Sequence, residues 1–383
     1  MNTTRQSRVV VIGAGIIGCA VAWELARRGH DVTMIDRDTP GNGASRAAGG
    51  MLSPLSEADM PGPFLELGLA SLERYPAMIE ELRRLTGVDP GYRESGKLVV
   101  ALDDDGVSPL ERTHAWQSSL GHAVEWLDGP DARRAEPQLT PSTRAALRVT
   151  LDYQVDNRAL TRALWLAATG SGATLVRSSP VVTIRTGSAP AGARASAAVS
   201  GVLLADGEVI PADSVVLAAG SWSGLIGGLP RAVPVSPVPG QVIELLTVPN
   251  VLRHMVMTDR CYLVPRADGR LLVGATAEPP RYFAEPTAGG MSKLLAAAIE
   301  AVPTLADAAF SDAWAGLRPG TPDHLPILGE DPDVAGLFYA TGHYRNGILL
   351  APITASLIGD VVTGRPPALS LEPFRPDRFA ADA

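Results

Sequence analysis

Apolar positions follow two rhythms along this chain of 383 residues. Val9-Val-Val-Ile12 is an unbroken apolar run, the pattern of a strand buried on both faces. Gly13-Ala-Gly-Ile-Ile-Gly18 follows, and Cys19 to Arg28 then reads as a helix with small residues facing a sheet. Gly29 ends that helix as a C-cap, and Asp31-Val-Thr-Met-Ile-Asp36 forms the second strand. Together they make a βαβ unit, right-handed by default. Apolar residues at 65, 69, 72, 79 and 82 predict one long helix from Phe64 to Thr86.

Further along, 96–102 reads as a strand, and 107–120 and 130–135 read as helices. Val155 opens a helix that runs to Ser171, and strands are expected at 173–177, 181–185, 199–204 and 208–210. The Ala/Gly/Ser-rich stretch Gly187 to Ser200 lacks periodicity and reads as an exposed hairpin loop. Asp213 to Gly220 is another buried strand ending on glycine. From 233 to 276 alternating strands and turns predict antiparallel sheet. Helices follow at 291–301 and from Leu349 to Thr363, and no internal repeat is evident. The layout is α/β and discontinuous. Segments 1–90, 145–225 and 315–383 predict a doubly wound, Rossmann-like nucleotide domain. Segments 91–144 and 226–314 predict an α+β domain with a mainly antiparallel sheet.

Composition narrows the functional classes. Hydrophobic residues make up 46% and charged residues 19%, as in a soluble globular protein. The net charge of −8 argues against nucleic acid or an anionic membrane surface as a general partner. No apolar run reaches ~18 residues, so no membrane span is expected. Met1 to Arg8 is polar and leads directly into a strand, unlike a signal peptide. Cys19 and Cys261 lie far apart, with no metal or redox spacing, which fits a reduced, cytoplasmic protein.

Gly13, Gly15 and Gly18 place GxGxxG after a strand and at the start of a helix. Gly13 permits the tight turn, Gly15 the approach of a pyrophosphate, and Gly18 close packing of helix on strand. The helix N-terminus offers free N–H groups and partial positive charge to phosphate. Asp36 ends the second strand, where an acid accepts ribose hydroxyls. The small-residue run Gly41 to Pro54 then favours FAD over NAD, because it can pass along the pyrophosphate toward a flavin ring. The two domains are accordingly an FAD-binding domain and a substrate domain.

Arg318 and Arg345 stand beside Gly and Pro turns in apolar surroundings, within Trp314 to Asp323 and Gly342 to Leu350. An arginine cannot shed its charge, so each requires an anionic partner. That partner is either a ligand carboxylate or an internal Asp or Glu. Tyr262, on a predicted strand, is either a ligand contact or a core tyrosine.

Five motifs carry a resemblance to a known family: Gly43 to Leu52, Tyr262 to Arg266, Gly274 to Glu278, Gly316 to Asp323, and Gly342 to Pro352. They resemble the glycine oxidases of thiamine biosynthesis, a branch of the D-amino-acid oxidase superfamily, across residues 8 to 364. The resemblance implies a non-covalent FAD, since neither cysteine matches a flavin attachment point of the related sarcosine oxidases. It implies Ile16 and Ile17 at the phosphate turn, Arg37 beside Asp36, and Ala44 and Ser45 near the pyrophosphate. Gly49, Gly50 and Met51 would line the ring, and Val181 would reach the adenine through its backbone. The turn His343, Tyr344, Asn346, Gly347, Ile348 and Leu349 would offer N–H groups to the flavin pyrimidine edge. His343 is expected there as a structural or flavin-contacting residue and not as a base.

On the substrate side the resemblance gives Arg318 the carboxylate, helped by Tyr262, with Arg345 over substrate and flavin. The implied reaction passes a hydride from glycine Cα to the flavin. Oxygen then yields hydrogen peroxide, and the imine hydrolyses or passes to thiazole synthase. A homotetramer is also implied. Three features depart from the family: Ala277 where some members carry Met, Glu278 to Ala284 in place of a more usual pattern, and His324 in place of a common Gly. Arg260 could also face the pocket. Sarcosine or D-amino-acid oxidase, a membrane D-amino-acid dehydrogenase and a non-catalytic flavoprotein are the competing readings.

Overall fold

The computed structural model describes residues 7–189 and 195–379. A six-stranded sheet runs in the order Ile327–Glu330, Leu337–Thr341, Ser214–Leu217, Arg8–Ile12, Asp31–Asp36, Thr174–Arg177. Only the edge strand Ile327–Glu330 is antiparallel to its neighbour. Both faces of this sheet are covered, which explains the unbroken apolar run at 9–12. Val9 and Val11 pack with the helices Ile16–Arg27, Asn157–Gly170 and Gly347–Val362. Val10 and Ile12 point the other way, onto a four-stranded sheet formed by Val181–Ser188, Ala197–Leu204, Val209–Pro211 and Val334–Ala335.

An eight-stranded sheet forms the second body. Its order is Ala309–Gly320, Ser236–Leu246, Arg270–Gly274, Tyr262–Pro265, Met255–Met257, Lys97–Ala101, Ala145–Val149, Val124–Asp128. All pairs are antiparallel except Met255–Met257 on Lys97–Ala101. The helix Ala288–Ala301 buries Leu294, Ala297 and Ala298 against one face. The other face presents Val242, Met255, Val264, Leu272 and Trp314 to Ala47 and Met51 of the nucleotide domain. The two bodies meet closely there. A Cβ on Gly316 would lie 2.3 Å from Ala47 Cβ, and Trp314 Nε1 donates to Ala47 O at 3.3 Å.

Several expectations are corrected. The boundaries drawn at 145 and 315 cut two strands from the sheet that holds them. Ala145–Val149 pairs with Lys97–Ala101, and Ala309–Gly320 pairs with Ser236–Leu246 along its whole length. The helix expected over 64–86 is two helices, Pro63–Leu72 and Tyr75–Thr86. Pro76 sits in the first turn of the second, where its missing N–H is tolerated; farther inside a helix it would break the ladder. The strand Val124–Asp128 was not anticipated. The strands flanking the expected 187–200 loop extend into it, to Ser188 and from Ala197. Residues 190–194, and the polar start at 1–6, lie outside the described residues.

Beneath the segment that follows the small-residue run lies a fully buried ion pair. Lys97 Nζ is 3.1 Å from Asp152 Oδ2, both side chains being 0% exposed, and Ser56 Oγ donates to the same oxygen. Removing one partner of such a pair strands a charge in low dielectric. Lys97→Met is expected to lower unfolding free energy by about 3–5 kcal/mol, with Lys97→Met/Asp152→Asn recovering most of it. Urea denaturation checks this, and a single variant within about 1 kcal/mol of wild type would contradict it.

Candidate active site

A cavity of about 550 Å³ runs from the carboxyl ends of the parallel strands to the inner face of the large sheet. That is the size range of cofactor and ligand clefts, at the usual position for an open α/β sheet. At its nucleotide end Gly13 has φ +102°, and an added Cβ would lie 2.5 Å from Ala218 O. A Cβ on Gly18 would lie 1.8 Å from Gly13 O, so helix and turn are in direct contact. The helix Ile16–Arg27 has no side-chain cap at Gly15. Ser45 Oγ takes the Ile16 N–H at 2.9 Å, while the Ile17 N–H meets no acceptor among the described residues. Asp36 receives N–H bonds from Ala14 (2.7 Å) and Asp38 (2.9 Å). Burial pushes its carboxyl above the usual range, with those two bonds acting the other way. Each oxygen keeps a lone pair for a hydroxyl. Arg37 lies 3.7 Å over the Trp222 ring, and Pro180, Val181 and Leu225 wall the same end.

At the other end stand Arg318 and Tyr262. Arg318 projects from the edge strand Ala309–Gly320, opposite Val238. Its Nη1 donates to Pro239 O (3.2 Å) and Thr276 O (3.1 Å), and no carboxylate lies within ion-pair distance among the described residues. Gly240 makes room for it, since a Cβ there would lie 2.1 Å from Nη1. Tyr262 is confined in the same way: Cβ atoms on Gly274 and Gly49 would come within 2.2 Å and 3.0 Å of its ring. The Tyr262 hydroxyl has no partner among the described residues, so it is available to the cavity it lines. Burial raises its pKa, and the nearby Arg318 charge opposes that rise.

Arg345 differs from Arg318. Its Nη2 lies 2.8 Å from Glu57 Oε2, so the internal acid that Arg318 lacks is present here. The guanidinium is half exposed at the cavity wall beside the Tyr344 ring. Arg260 also lines the cavity but is paired with Glu300. His324 takes φ +61°, the left-handed backbone that glycine enters most easily. Its ring stacks on Tyr344 at 4.8 Å, and Tyr344 itself has φ +47°.

His343 is 3% exposed, and its Nε2 lies 3.0 Å from Thr354 Oγ1. Burial pulls its pKa down to about 3, so the ring is neutral at physiological pH. Cys19 donates to Ala14 O at 3.3 Å behind the phosphate turn. Burial raises the pKa of both thiols and keeps them protonated.

The cavity brings together Gly13, Gly15, Ile16, Ile17, Asp36, Arg37, Ala44, Ser45, Gly49, Gly50, Met51, Val181, Tyr262, Arg318, His343, Tyr344, Arg345, Asn346, Gly347 and Ile348. Gly18 and Leu349 stand behind its wall. Gly18 packs on the turn and Leu349 is 1% exposed in the core. Four participants went unnoticed in the sequence: Trp222, Gly240, Glu57 and Arg266. Arg266 is buried, and its Nη1 donates to Val155 O (2.6 Å) while Nη2 donates to Gly49 O (3.0 Å). It thereby holds the Gly49–Gly50 turn, and it stood at the end of a motif already singled out, Tyr262 to Arg266.

Fold and site define a dinucleotide-type α/β protein whose cavity runs on from the GxGxxG turn to Tyr262 and Arg318. The chain belongs to the FAD dependent oxidoreductase family, whose model matches residues 8–361. It is 37% identical over 374 residues to a glycine oxidase of Geobacillus kaustophilus, covering 97% of each chain. The crystal structure of glycine oxidase from that organism matches with TM-score 0.91 over 97% of this chain and 99% of that one. The bifunctional protein ThiO/ThiG of Synechocystis sp. is 41% identical over 99% of this chain, which spans 55% of that longer protein. The crystal structure of iminodiacetate oxidase from Chelativorans sp. BNC1 matches with TM-score 0.84 at 32% identity, over 96% and 99% of the two chains. FAD is therefore the cofactor. The residues present fit it: glycine clearances at 13 and 18, a free N–H at Ile17 and an acid at 36 for its nucleotide half.

Two predictions follow from this geometry. Gly18→Ala forces a Cβ into the Gly13 carbonyl and is expected to weaken FAD binding by about tenfold or more. Fluorescence titration of the apoprotein reads this, and an unchanged constant would refute it. The second concerns His343. Below about pH 6.5 the unfolded chain takes up a proton on this residue, which the folded chain refuses until about 3. The residue therefore subtracts stability as pH falls through that window and is neutral to stability above it. Between pH 6.5 and 5 wild type should lose roughly 2 kcal/mol more than His343→Gln. Parallel pH profiles of unfolding for the two proteins would rule this out.

Proposed function

We propose that this protein is an FAD-dependent glycine oxidase. It converts glycine, oxygen and water to glyoxylate, ammonia and hydrogen peroxide. The observation that carries the reading is Arg318, a cation held by two main-chain carbonyls, with no protein carboxylate to neutralise it among the described residues. A guanidinium in that state takes a carboxylate in preference to a neutral ligand. Tyr262 offers the second donor, and Arg318 and Tyr262 both line the cavity. Relatives named glycine oxidase support the same substrate.

Bound FAD supplies the two-electron acceptor and is returned to its oxidised form by oxygen. The chain's own part is to seize the carboxylate, to orient the amine and Cα, and to exclude water; orientation supplies much of such an acceleration. A neutral His343, already bonded to Thr354, has no proton-transfer duty in this scheme. The amine need only bind in its neutral form. The two protonated thiols are unsuited to a covalent flavin link, which supports a non-covalent FAD. A relative joined to ThiG in one chain supports handover of the imine to thiazole synthase as an alternative to hydrolysis.

Ala277 favours a second reading, a secondary amine such as sarcosine, because it lines the cavity with a single methyl. Peroxide production from glycine, sarcosine, D-alanine and D-proline separates the two. Glycine is expected to give the highest kcat/KM, with sarcosine within about tenfold, one methyl group's worth of discrimination. Arg318→Ala is expected to lower kcat/KM for glycine by about two to three orders of magnitude. Arg345→Ala, whose charge is already paired, should lower it less than about tenfold. A preference for D-proline, or an Arg318→Ala enzyme within about tenfold of wild type, would sink the reading.

A further inference from the structure

The helix Gly347–Val362 borders the cavity with its N-terminus and carries Pro352 in its second turn. Proline has no N–H for the carbonyl four residues back, so the Ile348 carbonyl loses its helical partner. Tyr75 supplies another: its hydroxyl donates to Ile348 O. Beside it, Ser71 Oγ donates to Leu349 O at 2.6 Å and lies 3.4 Å from Ile353 N. Ser71 and Tyr75 are both 0% exposed. They flank the break between Pro63–Leu72 and Tyr75–Thr86, so that break aims two hydroxyls at one turn of the cavity helix.

The bond from Tyr75 acts on a particular peptide unit. Its carbonyl belongs to Ile348 and its N–H to Leu349. The N–H groups of Gly347, Ile348 and Leu349 meet no acceptor among the described residues, and Gly347 and Ile348 line the cavity. A hydrogen bond to one end of a peptide unit polarises the other, and the effect is strongest where water is excluded. Burial also holds the phenol in its donor form.

We propose that Tyr75 is a positioning residue for the flavin. By restoring the bond that Pro352 removes, it holds the first turn of Gly347–Val362 and with it the free N–H groups of Gly347 and Ile348, the residues of that turn that line the cavity. The electron affinity of the FAD bound there rises as a result. This rests on the placing of the flavin pyrimidine edge at that turn, and it goes beyond the substrate reading. Tyr75→Phe is a clean probe, because it keeps the stacking on Tyr92 (ring centroids 6.2 Å apart) and removes only the hydroxyl.

Sulfite adds reversibly to oxidised flavins in proportion to their electron affinity, without any substrate. The test measures its dissociation constant in four FAD-loaded proteins: wild type, Tyr75→Phe, Pro352→Ala and the double variant. Tyr75→Phe is expected to weaken sulfite binding about tenfold, the size of one hydrogen bond. In the Pro352→Ala background the same change should have less than about a twofold effect, because the main-chain N–H gained at position 352 then serves Ile348 O. An unchanged constant in Tyr75→Phe, or equal weakening in both backgrounds, would overturn the proposal. If the sulfite pattern holds but glycine fails to reduce the flavin, the substrate reading falls and the positioning role stands.

Discussion

The structure turns on a charge that no described carboxylate neutralises. Arg318 cannot deprotonate, and its guanidinium meets Pro239 O and Thr276 O but no described carboxylate. Backbone carbonyls orient it without cancelling its charge. The desolvation is tolerable because one side opens to the cavity, where water or an anion completes the shell. Arg318 thus lines the same cavity as the dinucleotide turn. Arg345 shows the contrast, since its charge is answered within the protein by Glu57.

Two sheets converge on that point, and glycines set how closely they do so. Gly240 clears space for the Arg318 guanidinium, and Gly274 and Gly49 clear space for the Tyr262 ring. Gly316, two residues before Arg318 on the same strand, lets that strand approach Ala47. The strand that carries Arg318 is thus the strand that docks on the nucleotide domain. Its neighbour Gly49 is held by Arg266 from the adjoining strand end. The two ends of the cavity are in this way joined by the same few contacts.

The nucleotide half was legible because its signals are local. An apolar strand, a GxGxxG turn and an acid at the next strand end all lie within 8–36, and the ladder pairs Arg8–Ile12 with Asp31–Asp36 as expected. Arg318 stood out because arginine between Leu and Pro in apolar company is unusual on physical grounds. What stayed hidden depends on partners distant in the chain. Nothing around Arg345 announces Glu57, and nothing in 145–149 or 309–320 reveals which sheet will take them. The break at 73–74 left a trace in Pro76, but the apolar spacing from 65 to 82 continued through it and outweighed one proline. Tyr75 and Ser71 carry no signal of their own in the sequence, because their hydroxyls gain a purpose only from the proline in a remote helix. His324 had a visible sign, standing where the family resemblance implies a glycine. Its left-handed backbone and its stacking on Tyr344 supply the reason.

The most direct measurement is a crystal structure of the FAD-loaded protein with glycolate, a carboxylate of glycine's size that cannot be oxidised as an amine. The account predicts its carboxylate on the Arg318 guanidinium, with the Tyr262 hydroxyl within hydrogen-bond distance and Arg345 still on Glu57. A carboxylate seated on Arg345 or Arg260, with Arg318 bonded only to Pro239 O and Thr276 O, would contradict it.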